Sequence, residues 1–241
     1  MTVRLVNSAE ENPELYIYDP IGDDVFGGVS PKQVAEELKK IKGADRLTVR
    51  INSPGGSVFD GVAIYNLLAT PRTYEVHTRV DGLAASIAAL IAMAGKSITM
   101  PSNAMMMIHR AWALAAGNGD ALREQAEVLD TIDNIISDVF AKRTGQTVEK
   151  ARELMDAETW LTAEEALAFG FADVVSKPEQ IAAYFDLARY KYKHTPECYE
   201  ECRKTSPNAS VMSGGEANTL ISRMKMANRR HRLSRQSNGR M

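Results

Sequence analysis

The chain has 241 residues, enough to bury a substantial core as one large domain or as a domain of ~180 residues followed by a tail. Its formal net charge of −2 gives no overall reason to expect nucleic acid or an acidic surface as partner. No charged-then-apolar leader opens it and no apolar run reaches the ~18 residues of a membrane span, so a cytoplasmic protein is expected; two late cysteines, Cys198 and Cys202, exclude a disulfide framework.

Residues 15–18 form a short apolar strand candidate, followed by the polar, glycine-rich loop P-I-G-D-D-V-F-G-G-V. Ser30 is placed to cap a helix and Pro31 suits its first position; Val34, Leu38 and Ile41 then recur on one face until Gly43. Residues 46–52 alternate apolar and polar with β-branched side chains, the pattern of a half-buried strand. Ser53-Pro54-Gly55-Gly56 breaks that strand, and S-V-F-D-G-V-A-I-Y-N-L-L reads as a helix with Val58, Val62, Ile64, Tyr65 and Leu68 inward. Strand, turn and helix then repeat, with a strand at 74–80, a helix apolar on nearly every side at 84–94, and short strands at 98–100 and 104–108. Such alternation predicts βαβ-type crossovers in an α/β fold, a mostly parallel sheet with helices packed outside it.

Residues 120–142 carry the longest helical pattern, with Leu122, Ala126, Leu129, Ile132, Ile136, Val139 and Phe140 in a stripe. Its length and the flanking G-N-G and T-G breaks predict an arm that packs on another subunit. A short helix at 147–156, a helix capped by Thr162 with Glu165 placed for a capping box, and a strand at 171–175 close a domain assigned to residues 1–177. Residues 178–241 are assigned to a C-terminal helix over 178–193, a linker, and a flexible basic tail. From residue 220 onward that tail holds Arg223, Lys225, Arg229, Arg230, Arg232, Arg235 and Arg240 with no acidic residue. His194, Cys198 and Cys202 lack a fourth partner, so no metal site is expected.

The stretch D-G-L-A-A-S-I-A-A-L-I-A-M-A-G sets Ser86 near the start of the buried helix. Unpaired N–H groups and the positive end of the dipole gather there, so the hydroxyl can lose its proton and developing negative charge can be held. The plainer reading is a serine that caps its own helix. Of four histidines, His194 and His231 lie in the tail and His77 inside a strand, which leaves His109, at a strand end, as the candidate general base. Gly55 and Gly56 stand at a strand-to-helix turn where backbone N–H groups can be aimed into a cleft. Asp156 and Glu158, in M-D-A-E-T-W-L-T, are the acids available to orient the imidazole, and the residues alone do not choose between them. The order Ser, His, acid and the absence of G-x-S-x-G disfavour the α/β hydrolases, and without G-x-x-x-x-G-K-[ST] any ATP-driven step must come from a partner.

Four motifs in order, I-N-S-P-G-G-S-V-F-D-G-V-A-I-Y, D-G-L-A-A-S-I-A-A-L-I-A-M-A-G, P-S-N-A-M-M-M-I-H and T-W-L-T-A-E-E-A-L-A-F-G-F-A-D, resemble the Clp protease proteolytic subunit (ClpP) family of serine peptidases. More narrowly they resemble its phage and prophage head-maturation branch. The resemblance implies Ser86 as nucleophile, His109 as base, and the N–H groups of Gly56 and Ile87 as oxyanion hole, with no cofactor. The family's acid is an aspartate and falls on Glu158 here, a departure that lengthens the side chain. The implied fold is a ClpP/crotonase-like set of ββα repeats with the long helix as a handle, assembled into homo-oligomeric rings. The implied partners are protein or peptide substrates, among them capsid or scaffold proteins, or else an ATP-dependent unfoldase, in a bacterial or phage-infected cytosol. Two readings of other classes compete: a crotonase-like acyl-CoA binder and a non-catalytic ring protein.

Overall fold

The computed structural model describes residues 3–6, 12–22, 28–178, 185 and 187–197. Its centre is one mixed eight-stranded sheet in the order β1-β2-β3-β4-β5-β8, with β6 branching from β4 and β7 pairing β6. The strands are β1 (Val3–Val6), β2 (Glu14–Ile17), β3 (Arg46–Ser53), β4 (Glu75–Ala85), β5 (Ile98–Pro101), β6 (Met105–Ile108), β7 (Thr159–Thr162) and β8 (Val174–Ser176). All pairings are parallel except β1–β2 and β6–β7. The helices are α1 (Pro31–Leu38), α2 (Val58–Ala69), α3 (Ile87–Ala92), α4 (Gly119–Thr144), α5 (Val148–Asp156) and α6 (Ala163–Phe169).

Local signals set most of these boundaries. Ser30 and Gln33 close a capping box on α1, Thr162 and Glu165 another on α6, and left-handed Gly145 and Gly170 terminate α4 and α6. The main departure from expectation lies at the middle of the chain. The helix foreseen over 84–94 begins only at Ile87, because β4 runs on through Asp81 to Ala85 instead of stopping at Val80. A uniformly apolar run cannot separate a buried strand from a buried helix. Here the first part pairs with β6, Leu83 opposite Met105 and Ala85 opposite Met107. The last strand is also displaced: Phe171 and Ala172 are buried ahead of β8 but outside it. β1 and β7 gave no signal strong enough to be foreseen. Of the helix expected over 178–193, the described residues form one 3-10 turn, Leu187–Tyr190. Cys198, Cys202, His231 and the basic tail lie outside the described residues.

β4 is the strand that positions the rest. Its first half pairs with β5 through Thr78 and Arg79, and its second half with β6, so the strand passes from one neighbour to another along its length. Opposite it, the register of β3 shifts between Ile51 and Ser53, and the Asn52 side chain accepts the Leu83 N–H across the shift. All six residues of α3 are buried between the sheet and the surrounding helices, which explains why that segment is apolar on every side.

α4 divides in two. Ile136, Phe140 and Ala141 are buried, with Phe140 edge-on to Phe171, whereas Leu122 and Val128 in its first half are exposed. The stripe read from the sequence is therefore half covered by its own domain. Among the described residues, no helix is long and apolar enough to cross a membrane.

Candidate active site

Ser86 occupies the junction between β4 and α3 with φ 57° and ψ −126°, a left-handed backbone unusual for a residue with a Cβ. Strain of this kind persists only where the surroundings enforce it. Two backbone bonds do so: Ser86 N–H donates to the Met107 carbonyl at 2.8 Å, and the Ser86 carbonyl accepts from Ala89 N–H at 3.0 Å. The side chain makes no cap hydrogen bond to its own helix. Its Oγ lies 2.8 Å from His109 Nε2 instead.

His109 directly follows β6, whose pairing with Ser86 carries the histidine to the serine. Burial holds His109 below the usual imidazole range; the negative charges of Glu158 and Asp133 pull it back up, and Lys193 pushes it down. The antiparallel register of β6 and β7 pairs Ile108 with Thr159, so the next step outward sets His109 beside Glu158. Glu158 is buried and left-handed at φ 45°. Its carboxylate accepts the backbone N–H groups of Lys193 at 2.9 Å and His194 at 2.7 Å, with Trp160 Nε1 at 3.5 Å. Among the described residues, no hydrogen bond joins it to His109. Asp156, the other acid in this stretch, is mostly exposed and sits 3.7 Å from Arg110 Nε.

The Ser53–Gly56 turn abuts the serine. Ser53 Oγ donates to the Asp19 carbonyl at 2.8 Å and accepts Gly55 N–H at 3.2 Å. Gly55 has φ 91°, and a Cβ there would stand 2.7 Å from the Ala85 oxygen and 2.8 Å from Ser86 Cβ. Gly56, at φ 148°, is pressed so closely on Ile21 that a Cβ would fall 2.1 Å from its oxygen. Ile21 N–H donates to the Gly55 carbonyl and Ser57 N–H to the Ile21 carbonyl, so this ladder leaves out the N–H of Gly56 itself. Ile87, as first residue of α3, has an N–H without a partner inside its helix. Beside Ser86 and His109 opens a narrow recess walled by Val58, Leu90, Ile136 and Phe140.

Residues 3–179 match the Clp protease family model. The chain belongs to the Clp protease family. It is 37% identical over 126 residues to the ATP-dependent Clp protease proteolytic subunit 2 of Tropheryma whipplei (strain Twist), an alignment covering 51% of this chain and 69% of that protein. It is 35% identical over 127 residues to the ATP-dependent Clp protease proteolytic subunit 1 of Prochlorococcus marinus (strain NATL2A), covering 52% of this chain and 64% of that one. The α/β fold and the ββα-type alternation around β4 agree with this membership.

Two features of this Clp-family site had no signal in the sequence. Asp133, buried on α4, accepts Ala111 N–H at 2.8 Å and Arg110 Nε at 2.6 Å, and so ties down the chain just after His109. Residues 187–194, beyond the matched region, return over the acid. The helical pattern of α4 marked Asp133 only as a polar position, and no local pattern reports a contact between residues thirty-five apart.

Proposed function

We propose that the chain is a serine endopeptidase of the ClpP type, with Ser86 as nucleophile, His109 as general base, Glu158 as the acid behind the imidazole, and the N–H groups of Gly56 and Ile87 as oxyanion hole. The observation that carries this reading is the 2.8 Å approach of Ser86 Oγ to His109 Nε2, at a serine whose hydroxyl caps nothing. With the imidazole neutral and its proton on Nδ1, Nε2 takes the hydroxyl proton as Oγ attacks a peptide carbonyl. The imidazolium then returns that proton to the leaving amine, and water hydrolyses the acyl-enzyme by the same two transfers. Burial favours the neutral imidazole that the first transfer requires. Negative charge forming on the carbonyl oxygen meets fixed N–H donors that need no reorganisation.

The uncovered half of α4 supports a homo-oligomer in which handles pack on one another. Both relatives are proteolytic subunits of ATP-dependent Clp proteases and no phosphate loop occurs in these 241 residues, which supports a proteolytic subunit served by a separate ATP-driven unfoldase. The head-maturation reading, with capsid or scaffold proteins as substrates, rests on the motif resemblance.

The test is fluorophosphonate labelling of the purified protein beside Ser86→Ala and His109→Ala. The expected result is labelling of the parent that both substitutions abolish. Labelling that survives Ser86→Ala would sink the assignment of the nucleophile. A well-folded parent that never labels would favour the non-catalytic ring protein, and binding of an acyl-CoA would favour the crotonase-like reading.

A further inference from the structure

The segment from Leu187 to His194 touches the machinery at four places. Leu187 is buried against Leu83, Ala85, Met105, Met107 and Trp160 on the sheet face that carries His109 and Glu158. The Tyr192 ring stands edge-on to His109, with centroids 5.2 Å apart, and edge-on to Trp160 at 5.9 Å. Its hydroxyl donates to the Pro54 carbonyl at 2.5 Å, inside the Ser53–Gly56 turn. The next two backbone N–H groups are those that hold Glu158.

Two roles are open to such a segment, a wall of the site or a plug in it. A plug would fill the recess beside Ser86. That recess is lined instead by α2, α3, α4 and the residues around His109, and no residue of 187–197 enters its wall. The segment lies on the other side of the imidazole, where the acid is. Backbone N–H donors on a buried carboxylate fix its direction.

We infer that Tyr192 is a positioning residue of the catalytic site: its ring braces the His109 imidazole, its hydroxyl ties the Ser53–Gly56 turn to that brace, and it delivers the Lys193 and His194 N–H groups to Glu158. This rests on the peptidase reading above. It makes a segment outside the family-matched residues 3–179 part of the site. A long glutamate at the acid's position, with more torsional freedom than a shorter carboxylate, is the side chain that gains most from two fixed donors.

The experiment uses the full chain and reads the fluorophosphonate labelling rate against pH. The groups facing His109 are Ser86, Glu158 from the turn before β7, Asp133 from α4, and Lys193 from the segment itself. Tyr192→Ala is expected to slow labelling about tenfold or more, since misplacement of a catalytic group by about 1 Å costs up to about a hundredfold. It also hydrates the imidazole, so the pH midpoint rises toward the ordinary histidine value. Tyr192→Phe keeps both ring contacts and recovers most of the rate and the parent midpoint. Lys193→Pro deletes one donor to Glu158 and slows labelling more than Lys193→Ala does. Thermal unfolding of each variant separates a lost fold from a lost brace, and Tyr192→Phe keeps the test alive if Tyr192→Ala does not fold. Ser86-dependent labelling that Tyr192→Ala leaves unchanged or accelerates would overturn this inference alone. Absence of Ser86-dependent labelling in the parent would overturn the peptidase reading and the inference with it.

Discussion

Gly61 in α2 faces Ile87, the residue after Ser86, and Gly61→Ala tests how tightly the two helices define the site. A methyl added there would lie 2.1 Å from Ile87 Cγ1 and 3.1 Å from both its Cβ and Cγ2. Non-bonded carbons settle at about 3.5–4.0 Å, so the contact is about 1.5 Å too short. Rotating the Ile87 side chain moves Cγ1 but leaves Cβ where it is. In a helix with open space, Gly→Ala stabilises by about 0.5–1 kcal/mol through backbone entropy. Overpacking at two buried positions costs about 1–3 kcal/mol, so the sign reverses and a net loss of about 1–2 kcal/mol is expected. Ile87→Ala alone leaves a cavity and costs about 2–5 kcal/mol. In the double variant the new methyl at residue 61 enters that cavity, so the pair costs less than the sum by about 1–3 kcal/mol. Urea unfolding of the four proteins measures the cycle, provided the slope with denaturant stays constant. A stabilised Gly61→Ala, or an additive double variant, would refute the packing argument.

Three further outcomes follow from the site. Because folded His109 binds its proton more weakly than the unfolded chain does, the unfolded state takes up more protons below about pH 6.5. Labelling and stability both fall as pH drops through the folded value, and Glu158→Gln, which removes a charge that raises that value, moves the acid limb to still lower pH while reducing the plateau rate. A limb that moves upward in Glu158→Gln would contradict the electrostatic account. Phe140→Ala removes a buried ring that packs on Phe171 and walls the recess, with an expected cost of about 3–5 kcal/mol in urea unfolding and a shift of peptide cleavage toward larger apolar side chains. Asp133→Ala takes the acceptor from Ala111 N–H and one carboxylate from Arg110, which keeps Asp130 and Asp156, and is expected to cost about 1.5–3 kcal/mol and slow labelling; an unchanged rate would show that His109 keeps its place without that anchor.

Much of this architecture is legible in one dimension because it is written in short-range terms. Capping residues at Ser30 and Thr162, the Gly145 and Gly170 stops, and the alternation in β3 act within a few residues of themselves. The junction at Ser86 was legible only in part. Its apolar surroundings announced burial, but the point where strand becomes helix depends on β6 lying alongside residues 83–85, and that is a contact with residues about twenty positions away.

The sequence by itself determined the α/β class and the turn that offers its glycines, and it marked Ser86 and His109 as the candidates for nucleophile and base. Tertiary structure alone decided that they meet at 2.8 Å, that Asp156 turns to Arg110, and that Tyr192, Lys193 and His194 return over Glu158, the position the motif resemblance had marked. The physical reason is one of range. Propensity and capping are settled between near neighbours, whereas register between strands and the docking of a distant segment are chosen by burial, which no local stretch of residues can evaluate.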